Sequence, residues 1–219
     1  GYEGKIFQIP NGRALSTYQQ CKFADPQSDR KQLTFIGYIN DRKNQAYLLK
    51  VLKHLPENYH LRFIGKPLSE EYLQELKEYC RKHNLHNVAF LGQVEHEDIP
   101  GYLAETHAFP SASKMEVQSL VVIEALASGT PVVGLSNETI DELVGEENGV
   151  WLVKDTRPEH FASQVERICR LAPEEYRSMC ENARQRVSHL DWKIIVQQTA
   201  ESYREIKKIK PTVTAEEND

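Results

Sequence analysis

Little in this sequence gives a function away at first sight. It has four cysteines, Cys21, Cys80, Cys169 and Cys180, widely spaced and without a C-x-x-C pair. That speaks against a disulfide framework or a thiolate metal cluster and suits a reduced, cytosolic protein. His83 and His86 stand three positions apart with no third ligand near them, so no metal site is read there. No apolar run approaches the roughly 20 residues that span a bilayer. Neither charge sign dominates: 27 Lys and Arg against 32 Asp and Glu leave a net −5, with no footprint for nucleic acid or an anionic lipid surface. The opening Gly1-Tyr2-Glu3-Gly4-Lys5 is polar, lacks Met and shows no secretory leader. The chain is therefore expected to be a piece of something longer.

What is present is ordinary globular material. The 219 residues are 40% hydrophobic and 27% charged, enough for one domain with a full core. Short β-rich runs alternate with helical stripes. "LTFIG", "HLRFIG" and "VAFLG" each end in Gly, and "HAFP", Val132-Val133 and "GVWLV" complete six strands. Between them, Tyr47, Val51, Leu52 and Leu55 share one helical face, and Tyr72, Leu73, Leu76, Tyr79 and Cys80 another, the latter opened by Ser69 as N-cap. Glu70, Glu71 and Glu75 with Lys77, Arg81 and Lys82 read as the solvated side of that second helix. Helices are expected at about 158–171, 173–188 and 192–208, with Trp192 and Tyr203 anchoring the last by packing.

Such alternation predicts an α/β fold: a doubly wound, mostly parallel six-stranded sheet with helices on both faces. Residues 1–31 read as a connector holding one short strand in "GKIFQIPNG", followed by a linker. Residues 32–190 form the compact domain, 191–209 a closing helix and 210–219 a disordered polar tail. In such sheets ligands bind beyond the carboxyl ends of the strands, where glycine turns let backbone approach a phosphate. An ordinary turn accounts for any one of these glycines equally well.

One residue disturbs the pattern. Glu124 sits in the apolar run Leu120-Val121-Val122-Ile123-Glu124-Ala125-Leu126-Ala127, one turn into a helix expected from about Ser119 to Ser128 and stopped by Gly129. Burying its charge alone would cost several kcal/mol, so it must be solvated or partnered. The helix start offers free N–H groups suited to a diphosphate. A carboxylate one turn on can accept hydrogen bonds from the vicinal hydroxyls of a ribose, and Glu116, just before the helix, can face whatever lies beyond the phosphates. A helix capped by Ser119 with one exposed Glu has the same spacing, so spacing leaves both readings open.

The stretch "EVQSLVVIEALASGTPVV" resembles the E-x7-E signature of retaining glycosyltransferases of the GT-B fold. Glu116 and Glu124 match its acids, and Leu120, Ala125, Ala127, Gly129, Pro131, Val132 and Val133 match the rest. The likeness extends to "FIGYINDRKNQAYLL", "LRFIGKP", "VAFLGQVEHEDIPGYLAETHAFPSASKME", the joining segment "KIFQIPNG" and the closing "LDWKIIVQQTAESYREI". Nearly the whole chain thus resembles the donor-binding half of such an enzyme, a Rossmann-like domain whose last helix crosses to an N-terminal, acceptor-binding half that is absent here.

The resemblance implies roles. Glu116 contacts sugar hydroxyls, Glu124 holds the ribose, and the backbone of Val117, Gln118, Ser119 and Leu120 meets sugar and phosphate. Lys43 neutralises the diphosphate as charge builds on the leaving phosphate. Gln93 and Val94 contact the base, and the turns at Gly37 and Gly65 approach the donor. Catalytic roles fall to Glu116 and Lys43. The donor is a UDP- or GDP-linked hexose, and no cofactor is expected. With no D-x-D motif, no metal is expected either. The product retains configuration, and the chain by itself should bind donor but transfer nothing. The implied setting is cytoplasmic, at the inner face of a membrane that the absent half would touch.

Two departures stand out. The family's Arg of G-R-L is Tyr38, a phenol without charge; Arg42 can replace it or face solvent. G-F-G has become Val117-Gln118-Ser119, similar to a variant in lipid-directed glucosyltransferases, which points to a glycolipid or polysaccharide acceptor. The alternatives are a non-catalytic nucleotide-binding or subunit-interaction module, and a sugar-nucleotide epimerase of related fold.

Overall fold

The computed structural model describes residues 6–143, 145 and 149–208. The polar tail expected at 210–219 lies outside the described residues.

The six strands form as expected: β1 Lys31–Ile36, β2 Tyr59–Ile64, β3 Val88–Gly92, β4 Phe109–Ser111, β5 Val132–Leu135 and β6 Val150–Val153. All pair in parallel, but as two three-stranded sheets, β3-β2-β1 and β4-β5-β6, not as one six-stranded sheet. A single bridge, Leu33 to Ala108, joins β1 to β4. The ladder fails there for a local reason. The N–H of Gln32 donates to the Nδ1 of His107 (3.1 Å) instead of to a backbone carbonyl, and β4 carries Pro110, which has no N–H to give. Packing closes what hydrogen bonding leaves open. Phe109, Phe35, Phe63 and Phe90 form a row of ring contacts across β4, β1, β2 and β3, with centroids 6.2, 6.0 and 5.2 Å apart. The resulting order 3-2-1-4-5-6 reverses direction at β1/β4, the switch point where a doubly wound fold opens a crevice.

The helices are α1 Ser16–Gln19, α2 Gln45–Leu52, α3 Glu70–Lys82, α4 Ile99–Ala104, α5 Leu120–Ala127, α6 Glu138–Leu143, α7 Pro158–Cys169, α8 Pro173–Arg186 and α9 Trp192–Lys208. The predicted stripes are inward: Tyr47, Val51 and Leu52 of α2 and Leu76 and Cys80 of α3 are buried. Ser69 caps α3 as expected, accepting from the Tyr72 N–H at 3.1 Å. Buried residues form two clusters, one centred on Leu33, Phe63, Tyr176 and Phe161, the other on Ile64, Phe109, Ile123 and Val132.

The N-terminal segment differs from its reading as strand and linker. Its described part, from Ile6, contains no strand, and Gly4 and Lys5 of the expected one lie outside the described residues. It is nonetheless held firmly. Arg13 forms a parallel bridge to Asp191, its N–H donating to Leu190 O (3.0 Å) and its carbonyl accepting from Trp192 N–H (2.8 Å). Leu15 and Tyr18 are buried in the core. The last helix does not anchor through its aromatics: Trp192 and Tyr203 are 57% and 64% exposed, and Ile195 is the buried residue, packed against Gly12. The helix is amphipathic, and both rings fall on its outer face.

Candidate functional site

The carboxyl ends of β1, β2 and β3 and the first turns of α5 border a cleft of about 540 Å³. Six of the residues singled out from the sequence line it: Gly37, Tyr38, Gly65, Gln93, Val94 and Glu124. Glu124 is almost inaccessible at 3%. Its partner is Arg13, whose Nε donates to Glu124 Oε1 in an ion pair. The acid in the apolar run is therefore buried and paired.

Tyr18 flanks the same carboxylate. Burial first, and then the charge and hydrogen bonding of Glu124, push its phenol well above the usual range. The Tyr18 hydroxyl lies 3.4 Å from His96 Nε2, and His96 also faces the cleft. Arg13, Tyr18 and His96 were not recognised in the sequence. Arg13 directly follows the turn of "IPNG", but nothing local ties it to an acid 111 positions away.

Lys43 and Glu116 meet as an ion pair, each 13% exposed. Lys43 ends a short 3-10 turn, Asp41–Lys43, which Asn40 caps by accepting the Lys43 N–H at 3.0 Å. Its stem passes Gly37 so closely that a Cβ there would lie 3.8 Å from Lys43 Cε. The pair thus stands at the Gly37 edge of the cleft, outside its lining.

The loop before α5 is tied down on both sides. Gln118 turns toward the connector: its Oε1 accepts from the Asn11 N–H (2.8 Å) and its Nε2 donates to Asn11 O (3.4 Å). Ser119 occupies the N-cap position, but its side chain makes no capping bond, contrary to expectation. Its backbone N–H donates instead to Thr139 Oγ1 at 2.8 Å, which fixes the helix start against α6. Val117 is 75% exposed. Leu120 opens α5 half-buried against the core. The N–H groups of Leu120 and Val121 donate to nothing among the described residues. Two donors are thus available at the positive end of a helix.

Arg42, the candidate to replace the charge missing at Tyr38, does not line the cleft. Arg42 is exposed and outside the lining, and its carbonyl accepts from Lys114 N–H at 2.9 Å. Tyr38, 55% exposed, stands at the cleft mouth. The guanidinium at the cleft is that of Arg13, supplied by the connector.

Known proteins share this architecture. An uncharacterized glycosyltransferase of Methanocaldococcus jannaschii is 29% identical over 146 residues, 65% of this chain and 36% of that protein. The alpha-monoglucosyldiacylglycerol synthase of Streptococcus pneumoniae is 30% identical over 122 residues, 55% of this chain and 27% of that protein. Among solved structures, Anabaena Alr3699/HepE in complex with UDP and glucose superposes with a TM-score of 0.79 at 23% identity, over 90% of this chain and 56% of that one. The chain spans less than half the length of these two curated relatives. The family signature described as glycosyl transferases group 1 matches residues 20–186, and the chain belongs to that family.

Proposed function

We propose that this chain is the donor-binding half of a retaining glycosyltransferase. It takes a hexose from a UDP- or GDP-linked donor and presents it to a glycolipid or polysaccharide precursor held by a second, N-terminal domain. One observation carries the reading: Glu124, a buried carboxylate, walls a cleft at the carboxyl ends of β1 to β3. The Lys43–Glu116 pair at its Gly37 edge supports it. The UDP and glucose in the HepE crystal and the glucosyl diacylglycerol in the pneumococcal relative's name agree with a UDP-sugar donor and a lipid acceptor.

In this reading the ribose hydroxyls donate to Glu124, and Glu116 accepts from hydroxyls of the sugar. The diphosphate lies against the first N–H groups of α5 and the Lys43 ammonium. As the glycosidic C–O bond breaks, its electron pair passes to the phosphate oxygen, where Lys43 and the N–H groups balance the new charge. The same oxygen takes the acceptor hydroxyl's proton while the acceptor oxygen bonds the anomeric carbon on that face. The scheme uses no metal and no protein base. A lipid acceptor would set the reaction at the cytoplasmic face of a membrane; among the described residues no helix is long and apolar enough to cross one.

Isothermal calorimetry with UDP-glucose and a GDP-hexose tests this. The chain should bind one of the two, lose that binding in Glu124→Ala and Lys43→Ala, and transfer no sugar by itself. Failure to bind either overturns the reading and favours a second one, a non-catalytic interaction module. Tyr38 in place of a cation, and a Glu124 already occupied by Arg13, are what favour that alternative.

A further inference from the structure

The Arg13–Glu124 pair raises a question that the donor site itself poses. A carboxylate meant for ribose hydroxyls already has one oxygen taken by a guanidinium. The two partners are unlike in freedom. Glu124 is 3% exposed and rooted in a packed helix, whereas the Arg13 side chain is 34% exposed and lines the cleft. The Arg13 backbone cannot move far, being bonded on both sides to residues 190 and 192. Any rearrangement is therefore a swing of the side chain over the cleft.

We propose that Arg13 is a diphosphate ligand of the donor site, parked on Glu124 while the site is empty and transferred to the pyrophosphate when the nucleotide enters. This rests on the donor-binding reading above. Two observations and one point of chemistry carry it. Tyr38 and Arg42 leave the β1 end of the cleft without a guanidinium, and Arg13 brings one to the same cleft from another segment. A planar, permanently charged fork suits two phosphate oxygens as well as it suits a carboxylate. Glu124 would not be stranded by the exchange, because Tyr18 stays beside it and the ribose hydroxyls replace the guanidinium. Lys66, the other cation in the lining, is exposed and unpaired with any acid among the described residues, so it has no equivalent resting place.

The exchange predicts opposite effects on a nucleoside and its diphosphate. A nucleoside must evict Arg13 from Glu124 without offering it a phosphate; a nucleoside diphosphate rehouses it. Calorimetry with UDP and uridine, and with GDP and guanosine, on the wild type, Arg13→Gln and Arg13→Lys reads this directly. Arg13→Gln should weaken diphosphate binding by about tenfold or more while leaving the nucleoside bound as well as, or better than, in the wild type. Arg13→Lys should recover part of the diphosphate affinity. Circular dichroism melts confirm that each variant is folded, and the nucleoside reading serves as an internal check on the site. Equal weakening of nucleoside and diphosphate, or no change in either, would show Arg13 to be only the structural partner of Glu124 and overturn the proposal. If the wild type binds neither diphosphate, the donor-binding reading itself falls, a result distinct from failure of the exchange alone.

Discussion

The carbonyl oxygen of Gly37 lies where a side chain on Gly65 would begin: a Cβ at position 65 would stand 2.0 Å from it and 2.6 Å from the carbonyl carbon. The two turns that floor the cleft are thus packed backbone against backbone, and Gly65 also holds a φ of +144°, which side chains rarely adopt. Gly65→Ala should cost more than about 2 kcal/mol, lowering the melting temperature by at least about 4 °C for a domain of this size. Gly101 is the matched control. It lies exposed in α4 with open space around it, so Gly101→Ala should stabilise by about 0.5–1 kcal/mol. Thermal melts of the two variants moving in the same direction would contradict this assignment.

Gln118 binds the loop before α5 to the connector through both ends of its amide. Gln118→Ala should remove the protection of the Asn11 amide against hydrogen exchange while leaving the exchange of β1 and β2 amides unchanged. The cost in stability should be small, about 1 kcal/mol, because these bonds are at the surface. Unaltered exchange at Asn11 would mean that the connector is held by the Asp191 segment alone.

His107 ties the two sheets through its ring. Its ring donates from Nε2 to Asp25 O (2.9 Å) and accepts the Gln32 N–H at Nδ1, so it is neutral in the fold. Burial, ahead of the charge of Lys31, lowers its pKa below the ordinary 6.5. The unfolded chain therefore binds the proton more readily. Stability from this group is complete above about 6.5 and is lost as pH falls through the window below that value, until the folded pKa is passed. Melting temperature should drop between pH 7.5 and 5.5, and the drop should be shallower in His107→Gln. Equal slopes for the two proteins would assign the pH dependence elsewhere.

The strands, the long helices and the glycine turns were legible in the sequence because each obeys a local period or a local turn rule. The stripes of α2 and α3 and the cap at Ser69 followed from side-chain spacing alone. Local rules misled where a neighbour distant in sequence decided the outcome. Ser119 has the right chemistry and position for a cap, yet its side chain makes no capping bond, and the helix start is held instead by Thr139, which accepts the Ser119 N–H. The break between β1 and β4 depends on which strand happens to lie beside Pro110 and on a histidine ring that meets Gln32 across 75 positions.

By itself the sequence determined the parallel α/β class, the family resemblance, and the requirement that a carboxylate in an apolar run be either solvated or partnered. Only the tertiary structure decided that the partner is Arg13, that Gln118 is engaged with Asn11, and that the strand order reverses at β1/β4 with the cleft beside it. The physical reason is one of range. Periodicity and capping act over a turn of helix or a pair of strand residues, whereas the partner of a buried charge is chosen by whichever segment the packed core brings next to it.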